Sequence, residues 1–213
     1  MIKFGCMVND AYRFNTVLRK SAIPGEVHYI INPESATRGL NKLLEMVNPE
    51  DIIVLAHQDV YFRNGWYNQM YNQMRKLPDD WGVAGVVGKD LDGNICGKIR
   101  DMRIVEPITS DHDLPHEVGC LDECVLIVRG SFRFDEGLDG FDLYGTLAVL
   151  QSWKEGKKAY VIDAPCEHYC MRPFTWHPGK DFERRYKYLL KTYPGMPIDS
   201  TVFYKKPNNE EVL

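Results

Sequence analysis

Apolar runs rich in β-branched residues alternate with segments of helical spacing, and this alternation constrains the fold of the chain most strongly. Strand-like runs lie at residues 2–8, 27–31, 52–56, 83–87, 124–128 and 159–163. Helical segments separate several of these runs, which is typical of βα units. The sequence therefore predicts an α/β protein with a mostly parallel central sheet flanked by helices.

Four segments carry apolar residues at helical spacing. The clearest follows "NPESATRG", where an apolar stripe runs from Leu40 to Val47. Others begin near Asn64, as a candidate N-cap, extend from about Asp142 to Glu155, and cover "DFERRYKYLLKTY". "KDLDGNICGKI" predicts a hairpin with an Asp-Gly turn. These helices are expected to pack on the sheet.

Length and charge narrow the class of protein. A chain of 213 residues with 44% hydrophobic residues can bury one sizeable core, so we expect one domain over residues 1–213. The net charge is −4 and the basic residues are scattered, which argues against nucleic acid as a partner. No signal-like or 18-residue apolar stretch occurs, so we expect a cytoplasmic protein without a transmembrane segment.

The stretch "DIIVLAHQDVYF" ends a buried strand in His57, Gln58 and Asp59. In open α/β sheets, ligands bind in the crevice beyond the carboxyl ends of the strands. Asp59 would suit a hard divalent cation such as Mg²⁺ or Mn²⁺. The competing interpretation is a strand-end turn residue or a helix cap, since Asp is common in both positions.

The segments "ESATRGLNKLLEMVNPEDIIVLAHQDVYF" and "FDEGLDGFDLYGTLAVLQSWKEGKKAYVIDAPCEH" resemble short GT-A glycosyltransferases related to family 2. The resemblance covers most of the chain and is strongest to a group whose metal motif reads His-Gln-Asp-Val. It implies a GT-A fold with a single Rossmann-like domain. It also implies transfer of a sugar from a nucleotide-sugar donor to a hydroxyl acceptor, as in polysaccharide biosynthesis, with Mn²⁺ or Mg²⁺ as the cofactor.

The same resemblance assigns site residues. Asp59 would bind the metal, whereas His57 stands where the first carboxylate of the motif is commonly found. His168, after "AYVIDAPCE", would be a second metal ligand, with a structural histidine as the alternative. The residues that would bind the nucleotide are Val8, Asn9, Asp10, Arg38, Asn41, His57 and Gln58. An Asx turn at Asn9 and Asp10 and a solvated Arg38 are the competing interpretations.

An inverting transfer needs a base for the acceptor hydroxyl, and a carboxylate can serve. The candidates are Asp122, Glu123, Asp139 and Asp142. The resemblance favours Asp142, at the start of the helix before the "GKKAY" strand, although an N-cap is an equal alternative. Related sequences often carry a histidine there and an aspartate where this chain has Gly145 and Thr146. The base therefore stays open between these carboxylates.

Two other functions remain open. A non-catalytic relative could bind a nucleotide or a glycan, because His57 replaces a carboxylate. A sugar-phosphate nucleotidyltransferase would share the α/β sheet, but "GCMVNDAYRFN" has no glycine-rich phosphate loop.

Cysteine spacing suggests one further alternative. Cys120 and Cys124, and Cys166 and Cys170, have spacings within the zinc range. On strands, however, residues i and i+4 lie roughly 13 Å apart, so buried thiols are the favoured interpretation. Trp66 and Trp153 are expected to pack in the core. Trp176, in the loop "MRPFTWHPGKDF", is expected near an acceptor, within a possible lid.

Overall fold

The computed structural model describes residues 1–103, 106–170 and 179–201. Its β-strands in these ranges are β1 (Ile2–Val8), β2 (Val27–Ile31), β3 (Ile52–His57), β4 (Val60–Tyr61), β5 (Trp81–Gly85), β6 (Val87–Lys89), β7 (Ile95–Asp101), β8 (Ile108–Thr109), β9 (His116–Glu117), β10 (Cys120–Leu121), β11 (Val125–Arg129), β12 (Lys158–Val161) and β13 (Cys166–His168). Its α-helices are α1 (Ala11–Thr16), α2 (Ala36–Leu44), α3 (Trp66–Met74), α4 (Tyr144–Lys154) and α5 (Lys180–Thr192).

The larger sheet has seven strands in the order β2-β1-β3-β11-β5-β12-β9. Strands β2, β1, β3, β5 and β12 point the same way, while β11 and β9 are antiparallel to their neighbours. The predicted α/β fold with a mostly parallel sheet is therefore confirmed. The predicted run 83–87 is divided between β5 and β6, because the chain leaves this sheet at Val86.

A smaller sheet has six strands: β10-β6-β7-β13-β4, with β8 added on β7. The predicted hairpin is its β6-β7 pair, and Gly93 in the turn has φ +87°, which favours glycine. The sequence prediction placed His168 at the end of a run continuing from residue 159. Instead, the chain ends β12 at Val161 and enters the smaller sheet as β13.

The central strands of the larger sheet are buried on both faces. Ile53 and Leu55 of β3 belong to one hydrophobic cluster, and Val54 and Ala56 belong to another, as expected when successive side chains point to opposite faces. Helices α2, α4 and α5 contribute to the first cluster, and α1 and α3 contribute to the second. Trp66 is buried and Trp153 packs against the core, as predicted.

Two predicted helix caps are wrong. Helix α3 is preceded by Gly65 in the left-handed conformation at φ +85°, and Asn64 is not its N-cap. Helix α4 is preceded by Leu143 at φ +67°, so Asp142 is not its N-cap. In both cases the backbone turns into the helix through a left-handed residue, and no side chain caps the first turn.

Asn41, predicted to belong to a nucleotide site, instead joins α2 to the segment after β11. Its Nδ2 donates to the Phe134 carbonyl at 2.9 Å and to Glu136 Oε1 at 2.9 Å. Its Oδ1 accepts from the Phe134 N–H at 2.8 Å. Because these bonds use most of the capacity of a buried amide, little of it remains for a ligand.

We predict that Asn41→Ala lowers the free energy of unfolding by about 2 kcal/mol or more, because two backbone groups of Phe134 lose their buried partner. Lys42→Ala, an exposed change on the same helix, should shift it by less than about 0.5 kcal/mol. Urea unfolding of the two variants beside the parent measures both effects. Equal, small shifts would contradict this structural role.

Candidate functional site

Pairing between two short strands brings the sequence-predicted metal ligands together. His57 ends β3, and Asp59 lies in the turn before β4. His168 ends β13, which pairs antiparallel with β4 so that His168 lies opposite Val60. Each of the three side chains offers a ligand atom, and these atoms lie within 4.8 Å of one another. We call His57, Asp59 and His168 the β3-β13 cluster.

His168 lies between two carboxylates. Its Nε2 is 3.4 Å from Asp59 Oδ1, and its Nδ1 is 3.3 Å from Asp101 Oδ2. Burial opposes protonation of this ring, but the contacts with Asp101 and Asp59 raise its pKa to about 10. Asp101, the last residue of β7, is itself held by the Arg103 guanidinium, whose Nε lies 2.8 Å from Asp101 Oδ1.

The Nε2 atom of His168 has no aligned hydrogen-bond partner among the described residues, although the side chain is only 9% exposed. Its contact with Asp59 is therefore an ion pair with poor hydrogen-bond geometry. A buried polar atom without such a partner is costly and calls for an explanation. A divalent cation between Nε2 and the Asp59 carboxylate would satisfy both atoms, while Asp101 would orient the ring in the manner of a carboxylate–histidine–metal contact.

His57 is oriented from a different element. Its Nε2 lies 2.6 Å from the Tyr144 hydroxyl, which donates to the Glu123 carbonyl at 3.3 Å. Burial raises the pKa of Tyr144 well above its usual range, so the hydroxyl keeps its single proton. With that proton directed at Glu123, the hydroxyl accepts from Nε2–H of His57. Tyr144 therefore fixes the orientation of the His57 ring.

Asp59 is charged at neutral pH. Burial opposes its ionisation, but the contact with His168 and the neighbouring His57 lower its pKa to about 2. A carboxylate and two imidazoles suit a divalent first-row metal. The residues present therefore fit the metal that the sequence predicted.

Gln58, the middle residue of the motif, connects the end of β3 to the end of β1 by hydrogen bonds. Its Oε1 accepts from the backbone N–H groups of Asn9 and Asp10 at 3.0 and 2.9 Å, and its Nε2 donates to Asn9 Oδ1. These bonds hold the polar ends of two parallel neighbours together. Val8, the last residue of β1, is buried there.

Asp10 and Arg13 extend this end of the sheet. Asp10 caps α1 by accepting from the Arg13 N–H at 3.1 Å, and its side chain is 43% exposed. The Arg13 guanidinium lies 3.3 Å from Asp10 Oδ2 and 3.8 Å from Asp59 Oδ2, and it donates to the Tyr169 carbonyl at 2.8 Å. No sequence motif marks Arg13. Its guanidinium supplies a positive charge beside the β3-β13 cluster.

Arg38, predicted to bind the nucleotide, lies between two carboxylates. It forms an ion pair with Glu34 one turn earlier, and its Nε lies 3.6 Å from Glu136 Oε2. Two carboxylates near its own helix therefore hold this partly exposed guanidinium.

The candidate bases have different surroundings. Arg185 of α5 lies 2.6 Å from Asp142 Oδ2 and 3.2 Å from Asp139 Oδ1, and a hydrogen bond from Arg184 lowers the pKa of Asp139. Asp122 instead accepts from the Cys124 N–H at 2.9 Å and from Thr201 Oγ1 at 3.1 Å.

Glu123 is set apart from the other carboxylates by its environment. Burial raises its pKa well above the usual range, and the charges of Asp122 and Asp142 raise it further. Burial and the two neighbouring carboxylates therefore both oppose ionisation of Glu123.

The structure tests only some of the remaining sequence predictions. Five of the six cysteines are buried thiols, and Cys170 is partly exposed. Trp176, Pro173 and Pro178 lie outside the described residues, so the predicted lid and the acceptor contact stay predictions. Within the described ranges, no helix combines the length and apolar character needed to cross a membrane.

The fold of this chain is similar to the folds of solved structures. No family model and no curated protein matches the chain. A crystal structure of GalNAc-T7 with UDP, GalNAc and Mn²⁺ is similar at a TM-score of 0.62 and 10% identity, and the match covers 90% of this chain and 47% of that chain.

More distant structures include A197 from STIV, at a TM-score of 0.48, 10% identity and coverage of 79% and 85% of the two chains. The inositol-1-phosphate CTP transferase from T. maritima gives 0.41 and 15% identity, with coverage of 86% and 75%. Because the chain spans about half the length of GalNAc-T7, the similarity concerns the fold. It confirms the predicted GT-A type of α/β architecture.

Proposed function

We propose that this chain is a metal-dependent glycosyltransferase that moves a sugar from a nucleotide-sugar donor to a hydroxyl acceptor. The observation that carries the proposal is the β3-β13 cluster, in which two imidazoles and a charged carboxylate converge beyond the end of β3. The fold shared with GalNAc-T7, which was solved with UDP, GalNAc and Mn²⁺, supports it. The family-2-like identity rests on the sequence resemblance.

The cluster supplies what departure of a nucleoside diphosphate requires. A bound Mn²⁺ or Mg²⁺ would neutralise the charge that develops on the leaving phosphate. Asp59, His168 and His57 would hold the ion, with Asp101 and Tyr144 orienting the two rings. The Arg13 guanidinium adds a positive charge 3.8 Å from Asp59 Oδ2. We therefore propose that Arg13, and not Arg38, contacts the phosphate of the nucleotide.

The nucleotide would lie over the ends of β1 and β3. Asp10 keeps an exposed carboxylate that can accept from a base or ribose hydroxyl, and Gln58 fixes the backbone beneath it. Val8 and Asn9 complete this edge. The acceptor, as a glycan or polysaccharide precursor, and the cytoplasmic location stay predictions from the sequence.

We also propose that residues 1–213 form one domain. The chain passes from the larger to the smaller sheet between β3 and β4, between β5 and β6, and between β12 and β13. Repeated crossings of this kind make it difficult for either sheet to fold without the other.

We propose Asp122, in preference to Asp142, as the base for the acceptor hydroxyl. A carboxylate oxygen held in an ion pair with arginine is less available to an approaching hydroxyl. Asp142 and Asp139 both contact Arg185, whereas Asp122 receives hydrogen bonds from neutral groups.

A non-catalytic nucleotide-binding protein is the second candidate. The observation that favours it is the pairing of Asp139 and Asp142 with arginines of α5, which removes two of the predicted bases. Such a protein would bind a nucleoside diphosphate and metal without turning over any nucleotide sugar.

The proposal predicts metal-dependent nucleotide binding. In a thermal-shift screen of UDP, GDP, CMP and dTDP sugars, one nucleotide should raise Tm more with Mn²⁺ than without it. Asp59→Asn should weaken that binding more than about tenfold, since it removes a ligand, and should leave the fold intact. The exposed Asp79→Asn is the control. Parent-like Mn²⁺ and nucleotide binding by Asp59→Asn would refute the site.

The base assignment predicts a separation of binding from turnover. Asp122→Asn should keep donor affinity and slow transfer by about a hundredfold or more, the usual contribution of a general base. Asp142→Asn should have a smaller effect. The measurement is release of nucleoside diphosphate from the donor selected in the screen. A large loss in Asp142→Asn alone would return the role to Asp142, and an inactive parent that still binds donor would favour the non-catalytic alternative.

A further inference from the structure

A second group of metal-ligating side chains lies outside the β3-β13 cluster. It consists of Asp90, directly after β6, His112, in the segment between β8 and β9, and His116, the first residue of β9. Each offers a ligand atom, and these atoms lie within 4.8 Å of one another. The group therefore joins the β6-β7 hairpin of the smaller sheet to an edge strand of the larger sheet.

Asp90 is a fixed and charged ligand. Its Oδ1 accepts from the backbone N–H groups of Asp92 and Asn94 at 2.9 and 2.8 Å, which immobilises the carboxylate. Burial opposes its ionisation, but hydrogen bonds led by the Asn94 side chain lower its pKa to about 2. Its Oδ2 lies 3.1 Å from Asn94 Nδ2 and 3.0 Å from His112 Nε2. An anionic oxygen therefore faces His112.

Hydrogen bonding explains only part of this arrangement. The contact with Asp90 occupies Nε2 of His112, but Nδ1 of the same ring is buried and has no hydrogen-bond partner among the described residues. The ring of His116 lies 4.5 Å from that of His112, centroid to centroid, at 61°. A turn that only needed its carboxylate satisfied would not require the second imidazole.

We propose that Asp90, His112 and His116 form a binding site for a transition-metal ion of the zinc type. Two imidazole nitrogens and one carboxylate oxygen are a common zinc ligand set, and water completes the tetrahedron. The 3.0 Å between His112 Nε2 and Asp90 Oδ2 is close to the separation of roughly 3.3 Å between ligands in a tetrahedron with 2.0 Å bonds. A ring nitrogen of His116 lies within 4.8 Å of both atoms.

The ion would act on the structure and not on the sugar transfer. It would link the β6-β7 hairpin to β9 and to the segment that carries His112. Strand β9 is itself paired with β12, with His116 opposite Val161. No residue of this site belongs to the β3-β13 cluster, so the inference is independent of the proposed function.

The test measures zinc binding with the first cluster removed. The full chain is stripped with a chelator, and Zn²⁺ is titrated calorimetrically into a His57→Asn/His168→Asn variant without nucleotide. We expect one Zn²⁺ per chain and a zinc-dependent rise in Tm. Adding His116→Asn should weaken this binding at least about tenfold, whereas adding His28→Asn, a histidine outside both groups, should not. Equal binding by the triple variants, or no binding by the double variant, would overturn the proposal.

A second measurement avoids dependence on the folding of the variants. Crystals of the parent chain soaked in Zn²⁺ and measured at the zinc absorption edge should show an anomalous peak between Asp90, His112 and His116. A peak only at the β3-β13 cluster, or none, would overturn the proposal.

Discussion

The backbone pairing of β13 with β4 is the interaction on which the candidate site depends. It sets His168 opposite Val60, one residue from Asp59, and the Tyr169 N–H donates to the Asp59 carbonyl at 2.8 Å. On its other side, β13 pairs with β7 so that His168 lies beside Asp101. A shift of one residue in either register would turn the imidazole to the opposite face of the smaller sheet. The position of His168 is therefore set by strand register.

The electrostatics of the site follow from that position. Two carboxylates flank one buried imidazole, and without a metal ion the ring stabilises them best by holding a proton, as its pKa near 10 indicates. A divalent ion held by His168 and Asp59 would supply a larger positive charge than that proton. Arg13 and Arg103 contribute to balancing the charges of Asp59 and Asp101. The cluster is thus organised for a cation before a nucleotide binds.

The predictions that agree with the structure are those that depend on local sequence patterns. The bounds of β1 and β2 agree with the predicted runs, because apolar and β-branched residues favour strands. The Asp-Gly turn located the β6-β7 hairpin. His168 was expected at the end of a run continuing from residue 159, whereas it lies in β13 of the smaller sheet. Strands as short as β4 and β13 leave little periodicity in a sequence.

The remaining differences come from contacts distant in sequence. Asn41 looked like a ligand residue because nothing local reveals that Phe134 will lie against it. The ion pairs of Asp139 and Asp142 depend on where α5 packs, and the orientation of His57 depends on Tyr144. Arg13 showed no signal beyond its place three residues after Asp10. Each case required the tertiary structure, since helix and strand patterns describe single elements.

The central claim is that the β3-β13 cluster binds the metal that also binds the leaving diphosphate. Pulsed electron paramagnetic resonance of Mn²⁺ added to the full chain with UDP, or with the diphosphate selected by binding, tests it most directly. Our account predicts hyperfine couplings to imidazole ¹⁴N and to ³¹P in the same bound species, with the ¹⁴N couplings lost in His57→Asn/His168→Asn. Bound Mn²⁺ that couples to ³¹P without any nitrogen coupling, or nitrogen couplings that survive in that variant, would contradict it.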